Sequence, residues 1–250
     1  MPVSRVAEPM REWEDLARLD PLWAILTEKG KQFGGWDRSE FFASGKREID
    51  ALMRSVGFNV GNGGRALDFG CGVGRLSRAL GDYFAEVCGV DISEEMIRLA
   101  RKYTPSCMFL LNQNDNLRLY RDDFFDFIYS NIVLQHQPTQ EVAKAYIREF
   151  VRVVKPGGLV VFQIPYKLTV RHALQPRRRL YALLRFCGFS AAFLYNKLHL
   201  DPMRTICLAS DDVRETVSDA GGRLLRSYED SFNHNSMSYV VTKEPASSSR

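Results

Sequence analysis

The stretch Ala66-Leu67-Asp68-Phe69-Gly70-Cys71-Gly72-Val73-Gly74-Arg75 constrains this chain more than any other. An apolar, strand-forming run passes into three alternating glycines. A helical pattern follows, with Val73, Leu76, Leu80 and Phe84 on one face. Glycines at such a place let the backbone turn tightly and come close to a ligand. The same alternation continues downstream. Strands are predicted at 65–69, 86–90, 107–111, 125–130 and 159–164, with helices at 73–84, 93–103 and 139–154 between them. The helix after Ser93 carries Glu94 and Glu95 in its first turn, the sign a helix N-terminus prefers. This order requires parallel strands joined by crossover helices on both faces. Beyond a helix at 211–220, strands at 223–228 and 237–242 are too close for a parallel crossover and must form a hairpin. The predicted fold class is α/β: a doubly wound, mostly parallel seven-stranded sheet with one antiparallel edge strand and helices on both faces.

Two hundred and fifty residues, 45% hydrophobic and 26% charged, are ordinary for a globular chain able to build its own core. The reading divides them into an N-terminal helical cap segment (1–45), a main domain (46–244) with an insertion at 166–206, and a disordered tail (245–250). Within the insertion a helix is predicted over 178–198. Five scattered cysteines without a CxxC pair are neither a disulfide framework nor a zinc site, which fits a reducing, cytoplasmic compartment. The N-terminus is charged throughout and reads as no secretory signal. The most apolar long stretch, 180–200, is interrupted by Arg185 and Lys197, so no transmembrane helix is predicted.

The formal net charge of +4 is unevenly placed. Residues 167–204 hold eight Lys and Arg against Asp201 alone, a local +7 that leaves −3 for the rest. This insertion admits three readings: a solvated helix face, a seat for an acceptor bearing phosphate or carboxylate, and a peripheral contact with an anionic membrane.

Two acidic residues sharpen the glycine loop. The spacing is GxGxG, and Arg75 stands where a dinucleotide fingerprint would need glycine. Asp68, two residues before Gly70, would repel a pyrophosphate but suits a cationic ligand; a structural cap on the loop is its alternative. Asp91 ends the next strand, where an acid can accept from both hydroxyls of a ribose or merely cap the helix after Ser93.

On these residues the chain resembles the class I S-adenosylmethionine-dependent methyltransferases, in their small-molecule branch, over roughly residues 46–244. LDFGCGVGRLS matches the first motif of that family, VCGVDISEEMI the second, FDFIYSNIVLQHQP the strand and loop beside the sulfonium, and VKPGGLVVFQIP the strand after it. The resemblance implies S-adenosyl-L-methionine as cofactor, held by Asp68, Gly70, Cys71, Gly72, Asp91, Ile92, Met96, Ser130 and Asn131. At the adenine edge it implies Asn114 or Asp115, within the loop Asn112-Gln113-Asn114-Asp115-Asn116.

The expected reaction is an in-line displacement at the sulfonium methyl. The protein then has only to align the acceptor and, where needed, take up its proton. His136, in the loop after the fourth strand, is the candidate catalytic base, with bracing of the loop as the alternative. Trp36, Gln135, Tyr166 and Arg171 are candidate acceptor contacts. Asp122-Asp123 reads as a turn, and no metal site is expected. There is no Asn/Asp-Pro-Pro-Tyr/Phe, Pro-Cys or double-glutamate signature, which disfavours nucleic-acid and protein-arginine acceptors. A small-molecule, glycan or lipid-linked acceptor with O-methylation is favoured. An RNA-directed enzyme, a non-catalytic cofactor-binding relative and a dinucleotide oxidoreductase are the competing readings. The sequence does not give the oligomeric state.

Overall fold

The computed structural model describes residues 7–59, 63–229 and 235–244. Seven strands form one sheet in the order β3-β2-β1-β4-β5-β7-β6. They are β1 (Arg65–Phe69), β2 (Glu86–Asp91), β3 (Met108–Leu111), β4 (Phe125–Ser130), β5 (Val154–Pro165), β6 (Gly222–Glu229) and β7 (Ser236–Lys243). The first five are parallel where they meet. β7 runs antiparallel to both β5 and β6, so it alone is reversed; it lies one strand in from the edge, and β6, outermost, points the same way as the first five.

Side chains alternate between two cores along each strand, as a pleat requires. Leu67, Phe69, Ile128, Val160 and Phe162 face the helices α6 (Gln140–Val153) and α10 (Ser210–Asp219). Ala66, Phe127, Tyr129, Leu159 and Val161 face α3 (Arg38–Val56) and α4 (Arg75–Leu80). Ser93 caps α5 (Glu94–Tyr103) by accepting from the Met96 N–H at 3.1 Å, and Thr139 caps α6 likewise.

The helices differ from expectation at three places, each for a local reason. α3 starts at Arg38, because Asp37 accepts the Glu40 N–H at 2.9 Å and Phe41 and Phe42 are buried. The 45/46 division therefore falls inside a helix. α4 starts only at Arg75, because the glycine loop uses Val73 and Gly74. The helix at 178–198 is two, α8 (Pro176–Phe186) and α9 (Ala191–Leu198), separated at Gly188, whose φ is +91°, with Ser190 capping the second.

The N-terminal helices α1 (Ala7–Leu19) and α2 (Pro21–Ile25) lie over the carboxyl ends of the strands. They share a third core with Trp36, Phe41, Met96 and Tyr195 of α9. Asp20, between them, is buried and accepts from the Gly34 N–H at 3.0 Å and the Tyr195 hydroxyl at 2.8 Å. α7 (Val170–Leu174) completes the insertion.

Candidate active site

The carboxyl ends of β1, β2 and β4 open into one cavity, where ligands sit in open α/β sheets. Its floor is the glycine loop. Gly70 and Cys71 both donate their N–H to the Val90 carbonyl, at 2.9 and 3.0 Å, which ties the loop to β2. Gly70 has φ +76°, and a Cβ there would lie 2.3 Å from Val133 Cγ2, itself in the cavity wall. Gly70→Ala is expected to displace Val133 and to cost about 2 kcal/mol or more. A thermal melt checks the stability, and a titration with S-adenosylhomocysteine checks the wall.

Asp91 stands beside the loop. Its Oδ2 accepts the Gly72 N–H at 2.9 Å and its Oδ1 the Ser93 N–H at 3.0 Å. Burial raises its pKa above the ordinary carboxylate value against the pull of those bonds. Each oxygen keeps a further lone pair for a donor in the cavity. Ile92 and Met96 supply the adjoining apolar wall, with Asn112 beyond them. The Asn112 N–H donates to the Asp91 carbonyl at 2.8 Å, and its amide nitrogen donates to the Asn116 carbonyl at 2.9 Å.

The opposite wall is the loop after β4. Asn131, Ile132, Val133 and His136 line it. Ile132 has φ +60°, a strained conformation for a β-branched residue, held in part by its N–H donating to Gln163 Oε1 at 3.3 Å. His136 Nδ1 lies 2.5 Å from the Arg204 carbonyl. A carbonyl only accepts, so Nδ1 carries the proton and Nε2 the lone pair, towards which the Gln135 amide donates at 3.2 Å. Desolvation pushes the His136 pKa down to about 4, so the ring is neutral at neutral pH.

α1 and α2 roof the cavity with Pro9, Trp13, Ala24 and Ile25. Trp13 meets His136 edge-on, ring centres 5.2 Å apart. The roof is fastened at both sides. Glu14 accepts from Ser93 Oγ at 2.7 Å and the Glu95 N–H at 3.2 Å, at the N-terminus of α5. Glu12 pairs with Arg178 and Arg204, each at 3.2 Å, and Asp15 with Arg185 at 3.4 Å. Among the described residues the cavity wall holds no Lys or Arg. Nor is any group of three or more His, Cys, Asp and Glu placed to hold a metal.

Of the residues singled out from sequence, Gly70, Gly72, Asp91, Ile92, Met96, Asn131 and His136 meet at this cavity. The others lie elsewhere. Asp68 turns under the loop, accepts from Ser77 Oγ at 2.6 Å and, buried, has its pKa pushed up to about 6. The Cys71 side chain packs with Ile97, Ala100 and Phe109. Ser130 is buried at the end of β4. Asn114 gives its carbonyl to the Tyr146 hydroxyl, and Asp115 accepts from the Asn116 amide. Trp36 is a core residue whose Nε1 donates to the Leu26 carbonyl at 3.0 Å. Gln135 is buried behind His136. Tyr166 bonds Glu229 at 3.1 Å, away from the cavity. Arg171 is on α7, but its side chain lies outside the described residues, as do His234 and the 245–250 tail.

Sequence reasoning missed Trp13, Ile25, Asn112, Tyr146 and Glu48. Asn112 was within reach, because it immediately follows β3, whose last residue pairs with Asp91. Glu48 of α3 lies under the loop after β4. One oxygen accepts from the Tyr129 hydroxyl at 3.0 Å and Asn131 Nδ2 at 2.7 Å, and the other pairs with Arg75 at 2.9 Å. The Arg75 side chain is 4% exposed.

Comparison with known proteins agrees with this geometry. Residues 67–162 match a family model described as a methyltransferase domain. The chain is 36% identical over 161 residues to the 2-methyl-6-phytyl-1,4-hydroquinone methyltransferase of Synechocystis sp., covering 62% of this chain and 49% of that one. It is 36% identical over 116 residues to the demethylmenaquinone methyltransferase of Staphylococcus aureus, covering 44% and 46%. These matches span about half the length of either relative. A solved magnesium protoporphyrin IX methyltransferase from Synechocystis PCC 6803 with bound S-adenosylmethionine shares the fold, with TM-score 0.61 and 18% identity over 97% of this chain and 98% of that one. Residues 67–162 thus match a methyltransferase domain, and the chain has the fold of a solved enzyme that binds S-adenosylmethionine.

Proposed function

We propose that this domain is a working enzyme that moves a methyl group from S-adenosylmethionine to an uncharged, ring-bearing small molecule of quinone type. The observation that carries the reading is the single cavity in which Asp91 and the glycine loop face His136 and Trp13. Its residues fit the cofactor. Asp91 has lone pairs left for a ribose diol, Ile92 and Met96 offer an apolar face to an adenine, and Asn112 stands beyond them with an amide.

The cofactor, when bound, supplies an activated methyl on sulfur. What remains for the chain is to exclude water, hold the acceptor in line and manage one proton. Trp13, Ile25 and Val133 exclude water and offer a flat apolar boundary, which suits an aromatic acceptor better than a glycan. With no Lys or Arg in the described wall, an anionic acceptor group finds no counter-charge there. The relatives named for a hydroquinone and a menaquinone support the same class. His136, neutral and with its Nε2 lone pair directed by the Nδ1 bond, is assigned to an acceptor hydroxyl, which displaces the Gln135 amide. O-methylation is the outcome this arrangement serves.

His136→Ala is expected to lower kcat about 10²-fold or more while the affinity for S-adenosylhomocysteine changes little. Because the ring is already neutral, the pH–rate profile should show no inflection from it between pH 6 and 8, only a fall towards its pKa of about 4. The stability linkage has the same direction. The unfolded ring binds its proton below about 6.5 and the folded ring only near 4, so this histidine's contribution is complete above pH 6.5 and is lost as pH falls towards 4. The test of the whole reading is transfer of labelled methyl to short-chain hydroquinones, with a porphyrin and a glycan in parallel. Binding of S-adenosylhomocysteine without transfer to any hydroquinone would overturn the acceptor class, and absence of binding would overturn the enzyme.

A further inference from the structure

We propose that the ridge formed by α8 and α9 docks on the surface of an anionic lipid bilayer. Among the described residues, eight of the thirteen large hydrophobic side chains left exposed lie between Val170 and Leu198. On α8 the inward face is satisfied: Tyr181 is buried and packs with Leu194 and Leu200, with Leu184 against them. The outward face presents Leu180, Leu183 and Phe186, three residues apart and therefore on one side of the helix. Phe186 is 90% exposed. Phe189 and Phe193 continue the ridge, their rings stacked with centres 5.5 Å apart. A solvated helix face does not place five large apolar groups in one line.

Charge decides what covers this ridge. From Lys167 to Leu200 the sequence contains no Asp or Glu. Arg178 and Arg185 turn inward to Glu12 and Asp15 of α1, whereas Lys167, Arg177, Arg179 and Lys197 stay exposed. A surface that is apolar and anionic at the same depth, as the headgroup boundary of an acidic bilayer is, complements both features together. A second copy of the chain would cover the apolar groups but bring like charges together. No helix among the described residues is long and apolar enough to cross a membrane, so the contact is with its surface. Docked there, the insertion holds the cavity roof beside the lipid through Glu12 and Asp15.

Flotation with phosphatidylcholine vesicles, with and without phosphatidylglycerol, tests the docking without any methyl acceptor, so its failure and that of the acceptor assignment are separate results. The whole protein should float with phosphatidylglycerol vesicles at low salt and be released as salt rises. Leu183→Glu/Phe186→Glu and Arg179→Glu/Lys197→Glu, all at exposed positions, should each lower the bound fraction about tenfold with unchanged melting and unchanged binding of S-adenosylhomocysteine. No flotation, or flotation indifferent to both double variants, overturns the proposal. So does a solution mass of two chains that Phe186→Glu returns to one, which would make the ridge a self-association face.

Discussion

Asp91→Ala should bind S-adenosylhomocysteine at least about a hundredfold more weakly than the parent while remaining folded. A ribose diol donating to a buried carboxylate makes two charge-assisted hydrogen bonds, each worth about 1.5–3 kcal/mol. Their joint loss is at least about 3 kcal/mol, which is roughly the hundredfold. The Gly72 and Ser93 N–H groups lose the same acceptor, so the loop loosens as well. Asp91→Asn separates the two effects, because an amide oxygen still accepts one backbone N–H. It should keep most of the parent's melting temperature and little of its affinity. Burial raises the Asp91 pKa, so the carboxylate is lost at a higher pH than an ordinary one as the solution is acidified. Cofactor affinity should accordingly fall on the acid side before the fold does. Calorimetric titration measures all three, and an Asp91→Ala protein binding as tightly as the parent would remove the ribose assignment.

Glu48→Ala should be the most destabilising single change near the site. Its removal leaves the Arg75 guanidinium, whose side chain is 4% exposed, without its ion-pair partner. Breaking a buried pair from one side costs about 3–5 kcal/mol, and because the Glu48 side chain is 27% exposed the lower end, about 3 kcal/mol, is expected here. In a domain of this size that is a fall of roughly 10 °C in Tm. The Tyr129 hydroxyl and the Asn131 amide lose their acceptor in the same step, and Asn131 lines the cavity. Glu48→Gln keeps an acceptor and should cost less. Glu48→Gln with Arg75→Met removes the stranded charge and should recover part of the loss. A Glu48→Ala protein that melts with the parent would show that Arg75 finds another partner.

The parts of this fold that local sequence encodes were readable. β4 follows from its aromatic, strand-forming run after the Asp122-Asp123 turn, the glycine loop from its spacing, and Asp91 from its place at the end of β2, two residues before a capping serine. All three depend on neighbours within a few positions. The roof does not. Trp13 looks like one apolar residue on an amphipathic helix, and only a contact across more than a hundred residues sets it against His136. Asp68 and Trp36 lie off the cavity wall for a related reason. Residue type cannot tell which side of a strand end or a turn a side chain takes, and here Ser77 and the Leu26 carbonyl had already claimed them. The loop after β3 brings Asn112 to the cavity wall instead of Asn114 or Asp115, because it turns back on itself at Asn112 through the Asn116 carbonyl.

The fastening of α1 has a kinetic consequence. Trp13 and Pro9 lie over the cavity, and their helix is held by Glu14 at one side and by Glu12 and Asp15 at the other. On the proposed function, exchange of spent cofactor for fresh should therefore wait on the lifting of a charged clasp, so that the clasp sets residence time as much as the cavity does. Ions in solution compete for such pairs. Rising ionic strength should shorten product residence and speed turnover, up to the point at which the roof no longer keeps water out.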